Sequence, residues 1–181
     1  ITRKDGIMPM PSFNRVLGVA VNLLRSIPFI ILMVMLFPFT RAIMGAGTGT
    51  ASVIVPLTIS AFPYVARMVE SSLLEVDGGV VEAAQSMGSS TWQIVTKVLI
   101  PESMPSLING FAICITTILA YTAMAGTAGG DGLGKVAITY ATQYRQYDVV
   151  YAASILLVVL VQIFQVAGTS ISRAIDHRIR K

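Results

Sequence analysis

Four stretches of this chain, residues 16–39, 51–69, 107–125 and 149–168, are apolar over the length that a bilayer demands. A hydrocarbon core needs about 20 largely apolar residues per crossing, and because lipid offers no partners to backbone N–H and C=O groups, each crossing has to be helical. A buried helix of a soluble bundle would keep polar positions at helical period, and the run from Ile155 to Val161 has none. Composition agrees: 54% of the 181 residues are apolar and 12% charged, against about a quarter charged in ordinary globular chains. The mean hydropathy is +0.74. The expectation is an all-α, polytopic membrane bundle forming one transmembrane domain over residues 1–181, with a long loop at 70–106. The chain starts at Ile1 rather than Met, so further sequence is expected upstream.

Cys114 is the sole cysteine and His177 the sole histidine. No intrachain disulfide can form, and a structural zinc site lacks its ligands. The net charge of +4 does not point to nucleic acid. In a membrane chain it reads as topology, since basic residues collect in cytoplasmic loops. Four spans leave both termini on one side. Arg3, Lys4 and Arg15 at the head, Arg67 and Lys97 bracketing the long loop, and Arg173, Arg178, Arg180 and Lys181 in the tail stand against only Arg41, Lys135 and Arg145 opposite. That asymmetry puts the termini and the long loop in the cytoplasm.

Arg25 is the one charge inside an apolar stretch, and a buried arginine costs about 3 kcal/mol or more unless paired or lifted to an interface. Pro28 offers a helix boundary, so residues 16–24 are read as an interfacial helix that leads to a shorter span and lets the guanidinium reach phosphate. A pore or gating role is the alternative. Pro56 and Pro63 free carbonyls in the second span, which is tolerated where that span faces protein or a cavity. Its small residues Ser52, Thr58, Ser60 and Ala61 permit close helix approach.

The loop at 70–106 is organised. Asp77-Gly78-Gly79 ends the helix descending from the second span. Val80, Val81, Ala84 and Met87 then share a helical face, Gly88 interrupts it, and Ser90 with Gln93 forms a capping box for a second short helix. That helix carries Ile94, Val95 and Val98 at helical spacing, and Pro101 is expected to stop it. Two short helices meeting at a glycine present a knob to the cytosol. The small Ala83 and Ala84 would let a partner's groove approach closely. An amphipathic helix lying on lipid headgroups fits the same pattern.

Glu82-Ala83-Ala84, then Gly88, then Val98-Leu99-Ile100-Pro101 resembles the EAA loop of bacterial ABC importer permeases, E-A-A-x(3)-G-x(9)-I-x-L-P, departing by Val at 98 and Ile at 100. Residues 22–30, 55–58, 66–70, 121–124 and 132–134 are similar to the permease subunits of methionine importers. The resemblance implies a helical bundle of the type I importer kind, in which Glu82, Ala83, Ala84, Met87 and Gly88 form a coupling helix docked on an ATPase subunit. Tyr121, Thr122 and Met124 would lie on the translocation path, with Met124 at a gate between two subunits. The implied partners are two ATPase subunits that bind the ATP and magnesium, a second copy of this chain, an extracytoplasmic substrate-binding protein and the bilayer of the bacterial inner membrane; this chain would bind no cofactor and catalyse nothing. Closure of the ATPases would draw the coupling helices together and switch the spans from inward-open to outward-open. That family has five spans, so the first is expected before Ile1. Permeases for another amino acid or an osmolyte have similar loops.

Four other patterns carry less. Gly129-Gly-Asp-Gly-Leu-Gly-Lys135 fits G-x-x-x-x-G-K, but Val136 stands where a magnesium-binding hydroxyl belongs, so these glycines are read as a sharp turn after the third span. An intramembrane hydrolase needs a nucleophile and base within the bundle, and His177 sits in a polar tail. An ion-coupled secondary transporter usually places acids inside its spans, whereas Glu70, Asp131 and Asp148 fall at or beyond span ends. Met33 and Met35, within an apolar run, read as adaptable packing.

Overall fold

Pro28 decides how the first apolar stretch is used. In the computed structural model, which describes residues 7–45 and 49–176, residues 16–39 do not form one rod: α1 (Pro11–Ser26) and α2 (Phe29–Met44) meet at 104°. Ile27 is extended and Pro28 caps α2. A residue before proline is pushed out of helical backbone, and a proline's missing N–H costs nothing at a helix start. The boundary near Pro28 therefore stands, and the straight span does not. With 16 residues, α2 alone is about 24 Å long, short of the roughly 30 Å hydrocarbon core.

Three further helical stretches are long and apolar enough to cross a membrane: α3 (Thr50–Leu74), the continuous run Thr91–Ala125, and a last helix, Tyr147–Ile175. Counting the bent pair as one, the described residues hold up to four crossings. α3 is the central element, touching α1, α2 and the helix of residues 100–125. Its prolines Pro56 and Pro63 are both buried, as their freed carbonyls require. Phe29 and Met33 of α2 pack with Val53 of α3 and Ala125 to form one core cluster. Met35 points outward and is 62% exposed.

The loop at 70–106 contains α4 (Gly78–Ser86) and α5 (Thr91–Ile94). Pro101 does not end the second short helix. A π-helical turn at Val95–Leu99 leads straight into α6 (Ile100–Ala125), with Pro101 in its first turn. In an α-helix the proline ring collides with the carbonyl four residues back; a π turn widens the ladder, here by an Ile100 N–H bond to the Val95 carbonyl, and accommodates the ring.

After α6 the chain reverses through Gly129 and Gly132, both at positive φ, into α7 (Leu133–Thr139) and α8 (Tyr147–Ile175). α6 and α8 pack so closely that a Cβ on Gly168 would collide with the Ala112 side chain. The Ser172 hydroxyl donates to the Pro105 carbonyl at 2.7 Å across the same contact. Arg3, Lys4, His177, Arg178, Arg180 and Lys181 lie outside the described residues.

Candidate functional site

The knob is built from local signals. The Asp77 carboxylate accepts from the Gly79 N–H at 2.6 Å and starts α4. The helix ends by bonding the Gly88 N–H to the Gln85 carbonyl (2.9 Å) and the Ser89 N–H to the Ala84 carbonyl (3.1 Å), the Schellman pattern, which needs a left-handed residue at its turn. Gly88 supplies it at φ +77°. The capping box expected at Ser90 is present: the Ser90 N–H donates to Gln93 Oε1 (2.8 Å) and the Gln93 N–H to Ser90 Oγ (3.4 Å).

Ala84, Ile94 and Leu99 form a buried cluster flanked by Leu73, Val76, Val81, Val95 and Val98. The face shared by Val80, Val81, Ala84 and Met87 is not buried as a unit: Val80 is 42% and Met87 79% exposed. At about 100° per residue burial is centred between Val81 and Ala84, and Val80 and Met87 fall beyond its edge. Ala84 is also not open to a partner, because its own loop covers it; Glu82, Ala83 and Gly88 are exposed. The outer surface of the knob therefore carries Glu82, Ala83, Met87 and Gly88, together with Trp92, which is 74% exposed. Sequence reasoning passed over Trp92, since an indole in a polar four-residue helix has no periodic signal; its only mark was being the chain's one tryptophan.

At the other end of α6, Tyr121 stacks on Phe29 with ring centroids 4.7 Å apart and planes 6° from parallel. The Thr122 hydroxyl donates to the Leu119 carbonyl of its own helix at 2.7 Å. Of the three expected path residues only Met124, 48% exposed, projects an uncommitted side chain. The nearby glycine loop is no phosphate cradle: Lys135 Nζ lies 2.7 Å from the Asp131 carboxylate, which also accepts from the Thr50 hydroxyl at 3.1 Å. These contacts, the Lys135 hydrogen bond foremost, hold the Asp131 carboxyl below the usual carboxylate range. Arg25 does not point away from the bundle; its guanidinium lies 5.9 Å over the Tyr64 ring. Arg67 bonds Glu70 (2.7 Å) and Asn22 (3.1 Å), tying α3 to α1. Among the described residues no three His, Cys, Asp or Glu side chains gather to hold a metal.

Up to four membrane-crossing helical units with a compact two-helix knob between the second and third define a multi-pass permease of the ABC importer kind. Residues 6–181 match the family described as binding-protein-dependent transport system inner membrane component, and the chain belongs to that family. It is 50% identical to the probable D-methionine transport system permease protein MetI of Vibrio cholerae, over 98% of this chain and 79% of that one. It is 40% identical to the methionine import system permease protein MetP of Bacillus subtilis, over 98% and 80%. The fold superposes with a TM-score of 0.95 on a chain of the MetNI methionine ABC transporter solved in inward-facing conformations, at 43% identity over 98% of this chain and 82% of that one. It is thus an inner-membrane permease component, and hydrolysis of ATP is the task of a separate subunit.

Proposed function

We propose that this chain is the membrane subunit of a methionine importer, working as a symmetric pair with two ATPase subunits that bind ATP and magnesium, and supplied from outside by a substrate-binding protein. The observation that carries the reading is the superposition over nearly the whole chain on a methionine transporter permease, at an identity well above the range where fold alone is shared. The knob is the ATPase contact: Glu82, Ala83, Met87 and Gly88 face outward, and Trp92 with Met87 offers the kind of exposed apolar anchor that dominates protein interfaces. Closure of the ATPases draws the two knobs together. The π turn fuses α5 of the knob to α6, so a force on α5 reaches Met124 through the continuous helical stretch Thr91–Ala125. The charge asymmetry supports a cytoplasmic C-terminus.

Proteoliposomes containing this chain, its co-purified ATPase and the cognate binding protein should take up methionine on ATP addition. Uptake driven by an ion gradient without ATP, or ATP-driven uptake of other amino acids with methionine excluded, would overturn the assignment.

A further inference from the structure

Arg25 is used by neither the knob nor the gate. α2 packs against α3 and α6, with Phe29 stacked on Tyr121; at Pro28 the chain turns away by 104°, and beyond the turn α3 and α6 bound an open groove of about 330 Å³. Its lining includes Arg25, Tyr64, Ser71, Glu75, Ser106 and Asn109. Among the described residues the Arg25 guanidinium lies over the Tyr64 ring and makes no hydrogen bond or ion pair, and the Asn109 amide and Ser71 hydroxyl have no hydrogen-bond partner. Tyr64 falls within the apolar stretch 51–69 and Asn109 within 107–125. Unpartnered polar groups at that depth are too costly against lipid and have to face water. The groove runs along α3 from Tyr64 to Glu75 and along α6 from Ile113 to Ser106, beside the end that charge asymmetry assigns to the cytoplasm.

We propose that this groove is the cytoplasmic half of the solute path and that Arg25 is the station that receives the carboxylate of a zwitterionic amino acid. The inference rests on the importer reading and adds to it a binding group. A guanidinium presents a planar fork of donors matched to a carboxylate, and the Tyr64 ring holds that fork from below. Glu75, eleven residues beyond Tyr64 on α3, lies about 16 Å further along the helix, so the same ligand's ammonium is not held by it at Arg25. Contact at one end gives brief residence, as a path requires.

The test uses the transporter with its ATPase in proteoliposomes, ATPase side outward, in a Cys114→Ala background. Asn109→Cys should react with a charged thiosulfonate about tenfold faster than Ile163→Cys on the apolar face of α8, since the reactive thiolate forms only where water reaches. Methionine should slow the reaction severalfold and methioninol, which lacks the carboxylate, should not. Arg25→Gln should abolish that protection and Arg25→Lys, which keeps the charge but not the fork, retain only part of it. Equal rates at the two positions, equal protection by methioninol, or protection surviving in Arg25→Gln would each overturn the proposal. So would labelling in detergent but not in bilayers, which would identify a lipid phosphate as the occupant. Methionine uptake by the Cys114→Ala parent is read separately: its loss counts against the importer reading, and its presence with an unreactive Asn109→Cys counts against the groove alone.

Discussion

Gly88 carries two separable constraints. Its φ of +77° disfavours any residue with a Cβ, yet among the described residues beyond its chain neighbours nothing lies within 4 Å of where that Cβ would sit. The backbone cost of a side chain is therefore about 1 kcal/mol, less for asparagine, and the rest of any effect comes from the partner. Gly88→Asn and Gly88→Ala should copurify with the ATPase subunit, whereas Gly88→Trp should insert normally and fail to. Copurification of the tryptophan variant at parental stoichiometry would refute docking at this turn. Asp131 makes a pH prediction. Its carboxyl is lowered by Lys135 and Thr50, so the folded state favours the ionised form: the stabilisation is complete above the ordinary carboxylate range and is lost as pH falls through the lowered folded value. An acid-side component of the melting curve should disappear in Asp131→Asn. Near neutrality the difference should be small, because the pair is exposed. Melting temperatures that fall in parallel across the acid range would contradict this.

At the scale of elements, the α6–α8 contact depends on a missing side chain. Gly168→Ala places a methyl against Ala112, an overpacking that costs about 1–3 kcal/mol, and Ala112→Gly should recover part of it. In a double-mutant cycle read by thermal unfolding the pair should be strongly non-additive; simple addition of the two losses would mean the helices separate without strain. Legibility from sequence divides along the same line between local and tertiary causes. The Pro28 boundary, the Asp77-Gly78-Gly79 turn and the Ser90–Gln93 box were readable because each depends on a few adjacent residues. The 104° bend was not, since its angle is set by packing of α1 on α3, including the Arg67–Asn22 bond. Pro101 misled because the stop rule assumes α geometry, and a π turn is an alternative that the sequence does not announce. Spacing gave α4 its apolar stripe without saying which flank packs, so Ala84, read as open to a partner, is instead covered by its own loop. The groove was invisible for another reason: Arg25, Tyr64 and Asn109 come from three distant segments, and although Arg25 stands out as the one charge inside an apolar stretch, nothing in the sequence joins it to the other two.

For the whole molecule, orientation comes first, since the knob can meet an ATPase only from the cytoplasm. Ser89→Cys in a Cys114→Ala chain should react with a membrane-impermeant thiol reagent only after cells are opened; labelling of intact cells would invert the topology and with it the coupling. The proposed gate would be a property of a pair of protomers. In one protomer Tyr121 is committed to Phe29 and Thr122 to its own helix, which leaves Met124 as the exposed end of a helix that begins at the knob. Two such thioethers meeting across a symmetry axis would make an unbranched, flexible plug able to fill a narrow opening and to withdraw from it. The segment from Tyr121 to Met124 offers no charge to an amino acid's carboxylate and ammonium, and a tight intramembrane site for a zwitterion needs such groups or helix ends. Arg25, in the groove on the cytoplasmic side, would hold the carboxylate only after the gate is passed. Choice of substrate should therefore lie with the external binding protein, and Met124→Ala should alter the rate or tightness of closure: faster leak of methionine without ATP, with the order of competing amino acids unchanged. Uptake of methionine against several competitors at fixed binding protein checks this. A reordered ranking in Met124→Ala, or tight methionine binding by the purified permease alone, would mean that the membrane subunit selects the substrate.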